Sequence, residues 1–542
     1  MPAMIAPTFS AVRRMVESAG YGVRFLAALP PLLRRPLTPG RARALVPRRL
    51  EQREADFLDL ARRVIFRQPR HPYRRLLALA GCEQGDLEGL VWREGLDPAL
   101  KALFRRGVYL TVAEFKRQQP IVRGSASFTI DPSELRNPLA GCHIPGQSGG
   151  TGGRRLVTPW DLGYLSDIAP GLCLYLDAVG GPTARYGSWC VPGGLAILQL
   201  IFLAAVGARP TRWFSQVEPT SAGLDLRYRW SGGLLRLGGL LAGVPLPRPE
   251  TVPLFETDSI IRWMTAMLRA GGRPHLYTNT SAAVRLCQDA LAAGIELAGA
   301  RFIVNSEPLT AARQAAIRGV GADAATLYGS METALISQPC AAGCLPDEMH
   351  LLDDVVATVQ PGDDAAGRPG LASKTLLCTT LRRRAPFLFL NVSMGDQAEI
   401  IPARCGCPLQ RAGWPRQIHS VRSFEQLNAG GMLLLDLDVI RVLEETLPAR
   451  FGGGPLDYQL LESVDGDGRA ALRLLVHPRL GPLDPTSVVD VFLAALTGDG
   501  SDRVRELQWR QGEMLSVERS VPRLTPAGKV LHLDQERAAT TN

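Results

Sequence analysis

From about residue 125 to residue 400 the chain alternates two patterns, and this alternation constrains the fold more than any other feature. Short β-branched or apolar runs, such as RFIVNS (Arg301 to Ser306) and KTLLCTT (Lys374 to Thr380), take turns with stretches of helical spacing such as SAAVRLCQDALAAG (Ser281 to Gly294). A strand flanked by helical segments has to bury both of its faces, so the pattern predicts an α/β protein with sheets covered by helices. Residues 1–120 differ. They are rich in Arg, Leu and Ala with apolar positions three and four apart, as in EADFLDLARRVIFRQ, and predict a helical N-terminal region. A further compact α+β pattern, with LLLDLDVIRVLEETLP, DYQLLES, ALRLLVHP and PTSVVDVFLAALTG in order, occupies residues 425–542. The expected fold class is therefore α/β: a helical region over 1–120, a large multi-sheet α/β body whose core runs from 121 to 424, and a small α+β C-terminal domain over 425–542.

Composition excludes several classes. Hydrophobic residues make up 46% and charged residues 21%, which rules out a disordered or collagen-like chain. The net charge of +9 is spread without a run of five or six like charges, so no dedicated nucleic-acid site is expected. The apolar stretch GGLAILQLIFLAAVGA (Gly193 to Ala208) falls short of the roughly 20 residues needed to span a bilayer and contains Gln199. It reads as a buried helix, and no transmembrane segment is expected. Ten cysteines in 542 residues are too sparse for a disulfide framework, which favours free thiols or metal ligands and a cytoplasmic location.

The most conspicuous local motif is GQSGGTGGRR, Gly146 to Arg155. It is not a P-loop, because the sixth residue is Thr151 counted from Gly146 and Arg154 counted from Gly149, with no lysine following in either register. The dinucleotide fingerprint fails as well, since Arg155 stands where its last glycine would be. What remains is a loop whose glycines let backbone N–H groups converge on an anion, with Ser148 and Thr151 offering hydroxyls; a flexible surface turn is the alternative. Lysine is informative in this chain because it occurs at only four positions, Lys101, Lys116, Lys374 and Lys529, against 57 arginines. Lys529, in RLTPAGKV, follows a glycine near the C-terminus.

Cys340, Cys344, Cys405 and Cys407 form C-x-x-x-C and C-x-C pairs, and His350 lies close in sequence. This inventory suits tetrahedral Zn²⁺ if the pairs meet in space; unbound buried thiols are the alternative.

The ordered motifs resemble those of the adenylate-forming superfamily, the acyl-CoA ligases and adenylation domains. GQSGGTGGRR is similar to its S-S-G-T-T-G-x-P-K loop, VNSEPLT (Val304 to Thr310) to G-G-E-P-L, and LYGSMETA (Leu327 to Ala334) to Y-G-x-T-E. SMGDQAEI (Ser393 to Ile400) resembles T-G-D, and RLTPAGKV resembles the C-terminal R-x-x-x-GK segment. Within the superfamily the similarity is strongest to phenylacetate-CoA ligase, through VYLTVAEFKRQQP, CLPDEMHLLDDVVATV and RCGCPLQRAGWPRQIHSVRSFEQL, and it covers about residues 105 to 535.

The resemblance implies an AMP-forming acid:thiol ligase. A small-molecule carboxylic acid would attack the α-phosphate of ATP to give an acyl-adenylate, and the thiol of CoA or of a carrier-protein phosphopantetheine would then take the acyl group. A degenerate, non-catalytic nucleotide-binding homologue is the rival reading. By the resemblance, Ser148, Gly149, Thr151 and Gly152 cradle the phosphates, and Thr151 and Glu332 hold Mg²⁺. Ser306, Glu307 and Pro308 border the adenine, Tyr328 stacks on it, and Gly329, Ser330 and Met331 line the same passage. Asp396 accepts from the ribose, Arg422 lies beside it at the domain hinge, and Lys529 is the lysine of adenylation on a mobile small domain. The chain departs from the family at Gly150, Arg154, Arg155, Ser306, Met331, Asn391, Val392, Phe424 and Glu425.

Overall fold

The computed structural model describes residues 9–147, 156–181, 183–218, 226–343, 345–423, 427–429, 432–434, 436–464, 470–497, 515–525 and 527–535. The glycine-rich stretch Ser148 to Arg155, Cys344 and the Phe424–Glu425 pair lie outside these residues.

Residues 9–115 are helical segments joined by short turns. Phe9–Arg34 packs along Leu226–Leu241, and Pro39–Glu51 along Leu162–Val179. From Phe57 to Phe115 the buried face, including Leu77, Val91, Leu100 and Phe104, merges with Phe387, Leu390 and Val392 into one core.

The body that follows contains two six-stranded sheets. Ahead of them stands an antiparallel hairpin, β1 (Ile144–Gln147) and β2 (Val157–Trp160). The first sheet contains β3 (Ala184–Cys190), β4 (Pro210–Ser215), β5 (Pro249–Thr251), β6 (Arg273–Asn279), β7 (Arg301–Asn305) and β8 (Asp323–Thr326). All are parallel, in the order β8-β7-β6-β3-β4-β5. The chain begins at β3, builds to one side, and returns to build the other from β6, which puts a topological switch point between β3 and β6. A parallel strand is covered on both faces, which explains the continuous apolar run in β7: Phe302, Ile303 and Val304 are all fully buried. Each such side chain stabilises the fold by about 1.5–3 kcal/mol. The apolar stretch at 193–208 forms a 12-residue helix, Gly194–Ala205, packed in the core, and its Gln199 accepts a hydrogen bond from Ser188 Oγ at 2.9 Å. Among the described residues no helix is long and apolar enough to cross a membrane.

After β8 the chain makes a two-residue-per-strand hairpin, β9 (Gly329–Ser330) and β10 (Ala334–Leu335), and enters the second sheet. That sheet contains β11 (Ser337–Pro339), β12 (Met349–Leu351), β13 (Val356–Val359), β14 (Thr375–Thr380), β15 (Val392–Pro402) and β16 (Arg416–Ser423). It is antiparallel throughout, in the order β11-β12-β16-β15-β14-β13.

Residues 436–535 build a third sheet from β17 (Tyr458–Val464), β18 (Ala470–Val476), β19 (Leu515–Arg519) and β20 (Leu533–Gln535), ordered β19-β18-β17-β20. Val442, Leu443, Leu460, Leu474, Val488 and Phe492 form its core, separate from the clusters of the body. The architecture is α/β, with a multi-sheet N-terminal body.

Candidate active site

The site is built at the C-terminal ends of β6, β7 and β8, where an open parallel sheet leaves backbone groups facing a crevice. At the end of β6, Asn279 caps the helix Thr280–Ala292: its Oδ1 accepts from Ala282 N at 2.7 Å, and its Nδ2 donates to Ala527 O at 3.1 Å. One side chain thereby starts the helix and grips the C-terminal turn. Ser281, two residues on, donates from N and Oγ to Glu307 (2.9 and 2.6 Å), and Ser281 Oγ also accepts from Val530 N at 3.2 Å. A carboxylate at this helix N-terminus is favoured by the N–H groups that have no partner within the helix.

At the end of β7, Ser306 adopts φ 70°, a left-handed conformation that glycine would take at little cost. Its side chain bonds Asn305 Oδ1 at 2.9 Å. The Glu307 carboxylate is buried in the Ser281 bonds and lies 3.4 Å from Arg313 Nη1, so Glu307 anchors the loop through its side chain. Pro308 offers its carbonyl to Arg313 Nη1 at 3.5 Å.

At the end of β8, Leu327 N still bonds Val304 O, and Tyr328 O then accepts from Ile336 N and Ser337 N, handing the chain to the second sheet. Tyr328 OH donates to Asp396 Oδ2 at 2.8 Å. Burial, then the Asp396 charge, raises the Tyr328 phenol well above the ordinary tyrosine value, so it remains a neutral donor. A Cβ at Gly329 would collide with Ala334 O across the β9–β10 pair, so only glycine closes this hairpin. Ser330 Oγ accepts from Glu332 N (3.1 Å) and Thr333 N (3.0 Å), fixing the turn that carries Glu332, which is 5% exposed. Met331 packs toward β1: a Cβ at Gly146 would run into Met331 Cε and the Trp160 ring. The β1–β2 hairpin, whose connection is the glycine-rich stretch, is thus held against the Glu332 turn. Ser148, Gly149, Thr151 and Gly152 themselves lie outside the described residues.

Asp396 in β15 faces Ser423 across the β15–β16 pair, with Arg422 opposite Gln397. Arg422 Nη1 donates to Asp347 Oδ2 at 3.2 Å, and Asp347 also accepts from Val421 N at 3.3 Å. Arg422 Nε is buried and has no partner among the described residues, a donor that a ligand oxygen would satisfy.

Lys529 rides on a turn in which Gly528 N donates to Thr525 O (2.8 Å) and Lys529 N to Thr525 Oγ1 (3.1 Å). Gly528 sits at φ 73°, and a Cβ there would strike Leu254 of the body. Together with the Asn279 and Ser281 bonds, this seats the turn at the mouth of the parallel sheet. Burial lowers the Lys529 pKa below the ordinary lysine value, and the Glu307 charge opposes that shift.

A separate thiol–imidazole cluster lies in the second sheet. One ligand atom from each of Cys340, His350, Cys405 and Cys407 falls within 4.8 Å of the others. The Cys344 of the expected C-x-x-x-C pair lies outside the described residues.

Sequence reasoning did not single out Asp347, Ser281 or the Arg313–Glu444–His532 group. Arg313 Nε donates to Glu444 Oε1 at 2.7 Å, His532 Nε2 lies 2.6 Å from the same oxygen, and Thr310 Oγ1 donates to Glu444 Oε2. These contacts join helix Ala311–Arg318 of the body to residues 442–446 and to the strand end after Lys529.

No protein-family model matches the chain, and no curated protein sequence matches it. Among solved structures, 2-hydroxyisobutyryl-CoA ligase in the postadenylation state, in complex with 2-HIB-AMP, is similar over 93% of this chain and 91% of that chain, at 14% identity with a TM-score of 0.50. This chain has the adenylate-forming ligase fold. The same ligase with 2-HIB-AMP and CoA in the thioesterification state matches over 91% of this chain and 92% of that chain, at 14% identity with a TM-score of 0.45. Apo MatB from Rhodopseudomonas palustris matches over 75% and 68%, at 13% identity with a TM-score of 0.37. In this fold, described residues of the segments quoted above come together: Tyr328 bonds Asp396, Met331 abuts β1, and the Lys529 turn sits on Asn279 and Ser281.

Proposed function

We propose that this chain activates a carboxylic acid with ATP, forming an acyl-adenylate and pyrophosphate, and passes the acyl group to the thiol of CoA. The observation that carries the reading is the seating of Lys529. The scarcest cation type in the chain is held by Asn279, Ser281 and Leu254 at the C-terminal edge of the parallel sheet, beside Glu307. A compact ammonium on a flexible stem can meet both the incoming carboxylate and an α-phosphate oxygen, lowering the barrier by offsetting charge that builds as they approach.

The other residues bind and orient. Asp396 accepts from the ribose hydroxyls, with Tyr328 fixing its carboxylate from one side. Arg422, held by Asp347, presents its free Nε toward the same sugar. The adenine lies between Tyr328 and the backbone of Ser306, Glu307 and Pro308, and Gly329 permits the close approach of Ser330 and Met331. Ser148, Gly149, Thr151 and Gly152 receive the β and γ phosphates. Glu332 is a buried oxygen donor of the type Mg²⁺ prefers, and with Thr151 it would hold that ion. When bound, Mg²⁺ offsets charge on the leaving pyrophosphate. The small C-terminal unit, residues 425–542, is mobile in this scheme and reorients between adenylation and thiol transfer. By the resemblance stated above, an aromatic or medium-chain acid is the proposed substrate class.

The test is pyrophosphate exchange into ATP across a panel of carboxylic acids, followed by thioester formation with CoA or with a phosphopantetheinylated carrier protein. Exchange stimulated by at least one acid, with CoA as acceptor, is the expected result. Exchange by none, with ATP still bound, would replace this reading with that of a non-catalytic nucleotide-binding protein.

A further inference from the structure

The residues that the ligase reading leaves unused are the four thiol and imidazole groups at one end of the second sheet. Cys340 follows β11, His350 lies within β12, and Cys405 and Cys407 lie in the connection between β15 and β16. Three separate chain segments therefore converge. Cys405 Sγ is 3.3 Å and Cys407 Sγ 3.1 Å from His350 Nε2, and all four ligand atoms lie within 4.8 Å of one another. A tetrahedral ion with bonds of about 2.3 Å to sulfur and 2.0–2.1 Å to nitrogen needs ligand separations of roughly 3.5–3.8 Å, so sub-ångström side-chain shifts would complete the shell. His350 is fully buried, and Cys340 and Cys407 are buried.

The connection carrying the C-x-C pair is shaped for this. Gly406 takes φ 63°, its N donates to Gln410 Oε1 at 2.6 Å, and Gln410 Nε2 donates to Ala403 O at 2.6 Å. The Gln410 side chain thus holds the turn so that both thiols face His350. Three sulfurs and one nitrogen form a soft, closed set that suits Zn²⁺ and leaves no position for a reacting water.

We propose that Cys340, His350, Cys405 and Cys407 bind a structural zinc ion, and that this ion positions Arg422 through Asp347. The loop between Cys340 and His350 is pinned at both ends by ligands. Within it, Cys340 N donates to Glu348 O at 2.9 Å, Gln417 Nε2 donates to Glu348 Oε1 at 2.6 Å, and Asp347 accepts from Val421 N and Arg422 Nη1. The ion closes a ring formed by this loop, β12 and β16. Without the ion the loop keeps the β11–β12 ladder and its Glu348 bonds but loses its tie to the Cys405–Cys407 connection, so Asp347 is held less firmly and Arg422 is less well oriented. The inference does not depend on which acid the protein activates or on whether it is active.

Protein produced with zinc in the medium and purified without chelator should contain about one zinc ion per chain, released when a mercurial caps the thiols. Cobalt replacement should give thiolate charge-transfer absorption and the intense visible bands of a tetrahedral site. Cys405→Ser and Cys407→Ser should each weaken metal retention by roughly tenfold or more, whereas Cys82→Ser, in the separate helical core, should not. Removing the metal should speed hydrogen exchange in residues 345–352 and 403–423 and leave helix Thr280–Ala292 unchanged. Absence of zinc and of a tetrahedral cobalt spectrum in the unmutated protein would overturn the proposal, as would a full equivalent retained in both serine variants. Metal binding with no exchange difference near Asp347 and Arg422 would overturn the positioning role.

Discussion

Glu444→Gln should release the C-terminal unit from the body, and the structure sets the size of the effect. Glu444 is 1% exposed and Arg313 1%, and they meet at 2.7 Å with His532 and Thr310 on the same carboxylate. Burial by itself pushes the Glu444 carboxyl up; the Arg313 and His532 charges and the bonds from His532 and Thr310 outweigh it, so its pKa falls from 4.5 to about 2. The depressed value means that the ionised carboxylate stabilises the folded, docked arrangement. Because the folded value is depressed, this contribution is complete above pH 4.5 and fades as the pH falls from 4.5 toward 2. Glutamine keeps the volume and removes the charge, leaving Arg313 with only the more distant Glu307. Losing one partner of a buried pair costs about 3–5 kcal/mol, and the Glu307 contact places the expectation near 3. Native-state hydrogen exchange at neutral pH should then be roughly a hundredfold faster in residues 442–451 and 527–533, with β6 and β7 unaffected. The double replacement Arg313→Met with Glu444→Leu should recover much of the protection, since neither charge is then left buried alone. Exchange within about threefold of wild type in Glu444→Gln, or a double variant as exposed as the sum of the singles, would refute this account.

Lys529→Ala should lower acid-dependent ATP–pyrophosphate exchange by on the order of a hundredfold or more, the scale of losing one placed charge-stabilising group. Thiolysis of a supplied acyl-adenylate should fall much less, and equal loss of both half-reactions would contradict the assigned role. Gly329→Ala must displace β10, because its Cβ meets Ala334 O. It should cost about 1–3 kcal/mol in thermal unfolding and abolish exchange activity by moving Glu332; near-normal activity would show that the hairpin position is not critical.

The chain order of the motifs, the alternation that makes a covered parallel sheet, and the burial of residues 196–205 within the apolar stretch were legible because each depends on neighbours within a few residues. Local spacing decides which face of a strand or helix is apolar, and glycine and lysine at rare positions stand out in one dimension. The cysteine pairs were visible as pairs, but that Cys340 meets Cys405 and Cys407 follows only from β12 lying beside β16. The Ser306 conformation was also hidden, since a serine in sequence does not announce a φ of 70°. Nothing in the local sequence distinguishes Asp347, Arg313, Glu444 or His532 from ordinary solvated polar residues. What distinguishes Glu444 is that Arg313, 131 residues away, and His532, 88 residues away, arrive at one carboxylate from which water is excluded. A charge acquires its energy from its distance to other charges and from the solvent between them, and both are set when the sheets pack.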